Sequence, residues 1–170
     1  VGPKGFQKVG HICFAYDDIV YSYGNYDSDS FHLNQTIGDG IFFTVPLEKY
    51  IPNMISAENN SIFEYGIYTT SKQNALIEKE IEKIRQNAYR WYTKIEKEDG
   101  YDRFSEYEMD YPSRLHYRTG AKLYKVKSGK FHIYWALGDN CASFTDLVLG
   151  MLGADVLSIR GIISPGTYLD

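Results

Sequence analysis

The stretch "IYWALGDNCASFTDLVLGMLG", residues 133–153, reads as a strand, a polar turn and a helix, with Cys141 at the start of the helix. If Asn140 caps this helix, Cys141 is its first residue. Backbone N–H groups and the positive end of the helix dipole then face the sulfur, and both favour the thiolate by lowering the pKa. The same N–H groups can hold the oxyanion that forms when a thiolate attacks a carbonyl. The helix start therefore predicts a nucleophile for acyl transfer.

The apolar face of the same helix carries this cysteine. Phe144, Val148 and Met151 follow Cys141 at three, seven and ten positions, so the sulfur points toward the sheet on which the helix packs. A base on a strand could meet it there. Because cysteine is also among the most commonly buried residues, an inert core position is the alternative.

Four histidines could supply the base for Cys141. His32 lies in a loop and His116 in an irregular stretch, and such positions hold a base poorly. His132 is on the strand that leads into the cysteine and could face either side of it. His11 begins the first strand, and a strand end is a rigid place from which an imidazole can meet a facing helix. We therefore predict His11 as the base.

A Cys–His pair also needs a third group that holds the imidazole in one tautomer. The second strand of the hairpin offers Ser22 and Tyr23, and just beyond it lie Asn25 and Asp27. Counting residues outward from the hairpin turn favours Tyr23 as the cross-strand neighbour of His11. This count leaves the pairing of the two strands uncertain by a residue or two. Tyr23 is therefore the predicted third member of the catalytic set.

The first part of the chain predicts strands. Apolar, aromatic and β-branched runs predict four of them, at residues 11–16, 19–23, 41–45 and 62–69. Asp17 and Asp18 separate the first two runs and indicate a hairpin turn. Residues 24–40 are rich in Asn, Asp, Ser and Gly and indicate a loop.

The longest helix is predicted over residues 69–98. Thr70 and Gln73 make a capping box, and apolar residues recur behind them at helical spacing. Residues 99–120 show no sustained period, and we interpret them as a long excursion of the kind that forms binding loops or lids.

Two more strands are predicted on either side of the turn at Ser128 and Gly129, then a helix over 141–152 that Gly153 ends, and a tail over 161–170. This order favours an α+β fold, an antiparallel sheet with helices packed on one side. At 170 residues the chain fits a single domain, 1–170.

Charge and composition argue against several classes of function. The net charge of -4 and the pI near 5.6 argue against a protein that binds nucleic acid by neutralising phosphates. No apolar run approaches the ~20 residues that a membrane-spanning helix needs. The His and Cys spacings match no zinc pattern, so we expect neither a metal nor a cofactor. Cys13 and Cys141 are too few for a disulfide scaffold, but they could bridge each other as a redox control.

Two segments resemble the circularly permuted branch of the papain-like cysteine hydrolases, which includes lecithin-retinol acyltransferase-like proteins and permuted NlpC-type domains. "VGHICFAYDDIVYSYG" is similar to the histidine-bearing hairpin of that branch, and "WALGDNCASFTDLVLGMLG" to its Asn-Cys helix start. The histidine precedes the cysteine in that branch, as His11 precedes Cys141 here. The resemblance covers roughly residues 8–27 and 70–170. It implies a permuted papain-like fold, with Asn140 leading the helix of the nucleophile.

The resemblance also implies a cysteine hydrolase that forms a thioester acyl-enzyme. Peptide amides, especially those of cell-wall peptides, suit the wider superfamily and a toxin-like module, for which an inhibitory immunity protein would be a partner. Lipid esters suit the permuted branch, as a phospholipase-like hydrolase or acyltransferase. They predict an exposed apolar rim around the cleft, with residues 101–117 as the candidate. Relatives that act on lipids have a second histidine where this chain has Tyr23.

The chain starts with Val1 instead of methionine, which suggests a mature product or a catalytic domain excised from a longer secreted protein. We expect a bacterial protein delivered to the envelope of a target cell. An interpretation from a different class is a non-catalytic binding module, whose tyrosine-rich loops recognise a protein or a sugar. That module would have an inert, buried Cys141.

Overall fold

The fold is taken from a computed structural model, which describes residues 11–98 and 105–152. The strands are β1 (Phe14–Tyr16), β2 (Ile19–Gly24), β3 (Ile37–Asp39), β4 (Ile41–Pro46), β5 (Ala88–Trp91), β6 (Lys122–Val126) and β7 (Ile133–Trp135). The helices are α1 (Leu47–Pro52), α2 (Ser71–Gln86), α3 (Lys94–Lys97), α4 (Tyr111–Thr119) and α5 (Cys141–Leu149). Short 3-10 helices lie at Ser28–Ser30 and Gly150–Leu152, and a π-helical turn lies at Asn53–Ala57.

Five strands form one antiparallel sheet in the order β1-β2-β4-β6-β5, while β3 and β7 pair separately as a two-stranded ribbon. The prediction of an α+β fold with an antiparallel sheet is confirmed. The strand β1 is an edge strand, so its N-terminal end is accessible to elements that approach from the side of the sheet.

The predicted hairpin of β1 and β2 is confirmed. Asp17 and Asp18 both adopt left-handed backbone conformations, with φ of 49° and 59°, as a two-residue hairpin turn of this kind requires. Phe14 pairs with Tyr21 across the hairpin. Side chains alternate along a strand, so this register puts Tyr21 and Ser22 on opposite faces of the sheet.

Helices cover both faces of the sheet, so the prediction of helices on one side is wrong. The face under α2 and α5 buries Tyr21, Tyr23, Phe42, Ala88 and Val126. The face under α1 and α4 buries Val20, Ile41, Phe43, Val45, Trp91 and Leu123. Consecutive residues of β2 and β4 are apolar, so each strand offers an apolar surface in both directions and a helix is needed on each side.

Several predicted elements differ in the structure. The run at 62–69 is not a strand, since residues 59–70 have no regular structure and most of their side chains are exposed. The long helix begins at the predicted capping box but ends at Gln86, because Ala88–Trp91 pairs with β6 as a strand. The strands on either side of the Ser128–Gly129 turn do not pair with each other.

Residues 99–120 were predicted as an irregular excursion, but Tyr111–Thr119 is the helix α4. Asp110 caps its first turn, Pro112 lies within that turn, and Gly120 ends it in the left-handed conformation. These are ordinary start and stop signals, which the mixed aromatic and charged composition of the stretch obscured. Residues 99–104 of this stretch and residues 153–170, which include the tail predicted at 161–170, lie outside the described residues.

Phe144 lies at the centre of the core on the α5 face. Its ring stacks on that of Tyr23, with ring centres 5.0 Å apart, and on that of Phe42 at 5.9 Å. Phe131 meets it edge-on at 5.3 Å. Because Phe144 lies one turn beyond the first residue of α5, this packing fixes where the helix starts relative to the sheet.

We expect Phe144→Ala to lower the free energy of unfolding by about 3–5 kcal/mol, since it removes a fully buried ring and leaves a cavity. Urea denaturation followed by tryptophan fluorescence measures this. The control is Tyr68→Ala, because the side chain of Tyr68 is fully exposed. A loss below 1 kcal/mol in Phe144→Ala would contradict this account of the core.

Candidate active site

The start of α5 is capped as the sequence predicts. Asn140 is the N-cap, and its side-chain oxygen accepts hydrogen bonds from the backbone N–H groups of Ala142 and Ser143, both at 3.0 Å. The Ser143 hydroxyl oxygen accepts in return from the Asn140 N–H at 3.0 Å. Cys141 is therefore the first helical residue, and it is buried.

The backbone N–H groups of three residues lie close enough to the Cys141 sulfur to lower the pKa of its thiol. They belong to Ile12, which directly follows His11, and to Ala142 and Cys141 itself. The sulfur thus lies between the start of α5 and the segment that leads into the edge strand β1. Amides at a helix start stabilise negative charge, so this surrounding suits a thiolate or an oxyanion.

The pKa of Cys141 is nevertheless raised above its ordinary value, chiefly because burial disfavours the thiolate. The amides of Ile12, Ala142 and Cys141 lower it, but by less. The helix-start argument therefore predicts the amide environment correctly and the net direction of the shift wrongly. At neutral pH the resting group is a protonated thiol.

The imidazole of His11 is held by a different residue from the predicted one. Its Nε2 lies 2.6 Å from Ser22 Oγ, which lies in turn 3.1 Å from the Tyr26 hydroxyl. Desolvation lowers the pKa of His11 to about 4. The residue keeps exposed surface, and the direction of the shift favours the neutral imidazole. His11 is neutral at pH 7.

Tyr23 does not hydrogen-bond His11. Its hydroxyl donates to the Phe131 carbonyl oxygen at 3.0 Å, and its ring is fully buried under α5. Tyr23 lies on the opposite face of β2 from Ser22, because adjacent strand residues alternate. The hairpin register therefore places Ser22, rather than Tyr23, beside the base.

The imidazole and the thiol are neighbours without being hydrogen-bonded. Within the described residues, no hydrogen bond joins His11 to the Cys141 sulfur, although the residue after His11 donates to that sulfur. Hydrogen bonds of catalytic pairs are often long in the absence of substrate and tighten when it binds.

The second cysteine lies next to Ile12. Cys13 is half-buried, burial raises its pKa to about 11, and a hydrogen bond with Tyr50 lowers it in part. The charge of an ionised Cys141 would raise it further. Both cysteines are free thiols in this structure, and the bridge between them stays a prediction.

The remaining histidines have structural partners. Nδ1 of His116 is 2.8 Å from the Ala121 carbonyl oxygen, and Nδ1 of His132 is 2.8 Å from that of Val126. The backbone of His32 forms an isolated bridge with Ile37. Across residues 11–98 and 105–152, no three His, Cys, Asp or Glu side chains come together as a metal site would need.

A groove lies beside the turn that precedes Asn140. It is lined by Ile37, Ile133, Trp135, Gly138 and Asp139. The side chains of Ile133, Trp135 and Leu137 are 44%, 48% and 52% exposed. A Cβ on Gly138 would fall 2.4 Å from a carbon of the Trp135 ring, so only glycine lets the indole fold onto this turn. The β3–β7 ribbon thus presents an apolar rim near the start of α5.

Sequence reasoning missed Tyr26 and the Ile12 amide. Ser22 was among the options for the third group, whereas Tyr26 lies beyond the strand in a loop, where no spacing rule points back to the histidine. Its position depends on the chain folding over Gly24, which only the structure reveals.

Comparisons with protein-family models, with curated proteins and with solved structures find no match to this chain. In the described part of the chain, no helix is long and apolar enough to cross a membrane.

We expect alkylation of Cys141 by iodoacetamide to be slow at pH 7 and to accelerate only above the ordinary thiol pKa of ~8.5, because burial raises the pKa. Intact mass against time, from pH 6 to pH 10, measures this. The Cys141→Ala variant shows how much of the alkylation occurs at Cys13. Rapid alkylation at pH 6 would show instead that the amides outweigh burial.

Proposed function

We propose that this chain is a cysteine hydrolase, with Cys141 as nucleophile and His11 as general base. The observation that carries the proposal is the surrounding of the Cys141 sulfur at a capped helix start, where the backbone N–H groups of Cys141, Ala142 and Ile12 lie near it. Ile12 directly follows His11, and amides in this position can hold the negative charge that acyl transfer develops.

In the proposed reaction the Cys141 S–H proton moves to His11 as the sulfur attacks the acyl carbon. The S–C bond forms, and backbone N–H groups at the helix start hold the negative charge on the acyl oxygen. His11 then gives the proton to the departing amine or alcohol. Water attacks the thioester, with His11 again taking a proton, and releases the acid and the free thiol.

The resting pair is neutral in this proposal. Burial raises the pKa of Cys141 and lowers that of His11, so both groups favour their uncharged forms. A stored thiolate–imidazolium pair is therefore disfavoured, and proton transfer accompanies the attack. Substrate binding must also bring the imidazole and the thiol into contact.

The first candidate substrate is an amide of cell-wall-type peptides, for a toxin-like module delivered to the envelope of a target cell and held inactive by an immunity protein. This substrate rests on the resemblance to permuted papain-like hydrolases. The second candidate is a lipid acyl ester, for a hydrolase or acyltransferase. The apolar rim of Ile133, Trp135 and Leu137 favours it, because lipid substrates call for exposed apolar surface near the nucleophile.

We expect Cys141→Ser and His11→Gln to lower hydrolysis of p-nitrophenyl butyrate, a small activated acyl probe, by about 10²–10⁴-fold. Cys13→Ser is the matched control and should retain activity, because its thiol faces Tyr50. Cell-wall stem peptides and phosphatidylglycerol vesicles, assayed in parallel, separate the two substrates. Equal activity in the wild type and the three variants would contradict the proposed hydrolase. It would favour the non-catalytic binding module, for which the exposed Phe63, Tyr65 and Tyr68 are the recognition candidates.

If lipid is the substrate, Trp135→Ala should slow hydrolysis of phosphatidylglycerol vesicles by roughly ten- to a hundredfold, the equivalent of about 1.5–3 kcal/mol of lost apolar burial. Hydrolysis of p-nitrophenyl butyrate should not change. Tyr68→Ala is the control, since it removes another exposed aromatic ring outside the rim. Equal losses on vesicles in both variants would argue against this rim as the lipid contact.

A further inference from the structure

A chain of hydroxyl groups runs from the imidazole of His11 into the protein interior. Ser22 Oγ lies between His11 Nε2, at 2.6 Å, and the Tyr26 hydroxyl, at 3.1 Å. Ser22 is fully buried, so this chain provides its hydrogen-bond partners. No carboxylate of the described residues hydrogen-bonds any of its three members.

The position of Tyr26 is fixed by packing. Its ring lies 5.4 Å from that of Phe43 and stacks at 5.9 Å on that of Tyr111, at the start of α4. A Cβ on Gly24 would fall 2.9 Å from a ring carbon of Tyr26 and 3.1 Å from its hydroxyl. The glycine at the end of β2 therefore lets the ring fold back until its hydroxyl reaches Ser22.

The single hydrogen of the Ser22 hydroxyl allows two arrangements. In one, His11 Nε2–H donates to Ser22 and Ser22 donates to Tyr26. In the other, Tyr26 donates to Ser22 and Ser22 donates to Nε2. Only the first leaves a lone pair on Nδ1, the ring nitrogen that Ser22 does not occupy and that can take the proton of Cys141.

We propose that Ser22 and Tyr26 are positioning residues that hold His11 as the Nε2–H tautomer, so that Nδ1 accepts the proton of Cys141. The inference rests on the proposed function. In the step it serves, the S–H bond of Cys141 breaks and an Nδ1–H bond forms. The imidazolium keeps its Nε2–H bond to Ser22 until Nδ1 gives the proton to the leaving group.

Tyr26 is the acceptor that draws the Ser22 hydrogen away from the imidazole. Burial raises the pKa of Tyr26 well above its ordinary value, so the group stays a neutral phenol. The hydrogen-bonded groups of His11, Ser22 and Tyr26 are called the relay below. The other titratable groups near it are Cys13, Cys141 and, behind Tyr26, Tyr50 and Tyr111. All of them are uncharged at pH 7 when burial holds their pKa values high.

Tyr26→Phe tests the relay, since it removes one hydroxyl and keeps the ring. We expect the Ser22 hydrogen to turn to Nε2, which moves His11 toward the Nδ1–H tautomer in ¹⁵N NMR spectra of the imidazole. Hydrolysis of p-nitrophenyl butyrate should fall at least about tenfold, short of the 10²–10⁴ expected on loss of the base. Tyr111→Phe is the matched control, because its hydroxyl lies 3.8 Å from the Met54 sulfur and outside the relay.

Ser22→Asp gives a second readout that a purely structural role would not move. A carboxylate beside Nε2 favours the imidazolium, so the acid limb of the pH–rate profile should move up by about one to three pH units. Ser22→Ala should shift the tautomer without that rise. If Tyr26→Phe does not fold, Ser22→Asp and Ser22→Ala still test the proposal.

The outcomes separate the relay from the function. The relay is overturned if Tyr26→Phe changes neither the His11 tautomer nor the rate of hydrolysis. It is also overturned if Ser22→Ala leaves the tautomer unchanged and Ser22→Asp leaves the acid limb of the pH–rate profile unchanged. Because NMR detects the tautomer without any substrate, these results stand whether or not the chain hydrolyses the probe. Wild-type hydrolysis by His11→Gln would instead overturn the proposed function.

Discussion

The packing of Phe144 against the sheet is the interaction on which the rest of the site depends. The ring is enclosed by Tyr23, Phe42 and Phe131, and it fixes α5 along the sheet surface. Asn140 then fixes the residue at which the helix begins, because its side chain satisfies the first amides. With both constraints in place, the next position, Cys141, lies close to the amide of Ile12, just before the edge strand β1. A shift of the helix by one residue would move the sulfur away from that amide.

Burial and amide hydrogen bonds compete at this sulfur, and burial has the larger effect on its pKa. The same solvent exclusion acts on His11 with the opposite sign, because it disfavours the cation. The polar groups beyond the imidazole are the hydroxyls of Ser22 and Tyr26, which carry no charge that would offset the lowering of the His11 pKa. The site is thus built from groups that favour their neutral forms, next to a sheet with helices on both faces.

The two faces of the sheet have different roles around this site. Cys141 begins the helix that covers one face, while Ser22 and Tyr26 belong to the face covered by α1 and α4. The two sets meet at the end of the edge strand, beyond which the sheet has no further strand to separate them. The apolar rim on the β3–β7 ribbon lies on the α5 side, next to the turn before Asn140.

Short-range patterns determined much of this protein. The hairpin at Asp17 and Asp18, the capping box at Thr70 and the capped start of α5 all follow from interactions within a few residues, which a sequence displays directly. Where the outcome depends on long-range pairing, sequence reasoning was wrong. Residues 88–91 carry a helical period, yet they form a strand because β6 offers its edge.

The same division holds within the site. Sequence alone placed Cys141 at a helix start, and it selected His11 among four histidines. Only the tertiary structure decided that Ser22 contacts the imidazole and that Tyr26 stands behind it, because those contacts depend on strand register and on the close approach that Gly24 permits. The direction of the Cys141 pKa was likewise beyond the sequence. The position of Cys141 at the helix start places the amides that stabilise its thiolate, and this is a local effect. The exclusion of solvent from its sulfur arises only when the whole core is assembled.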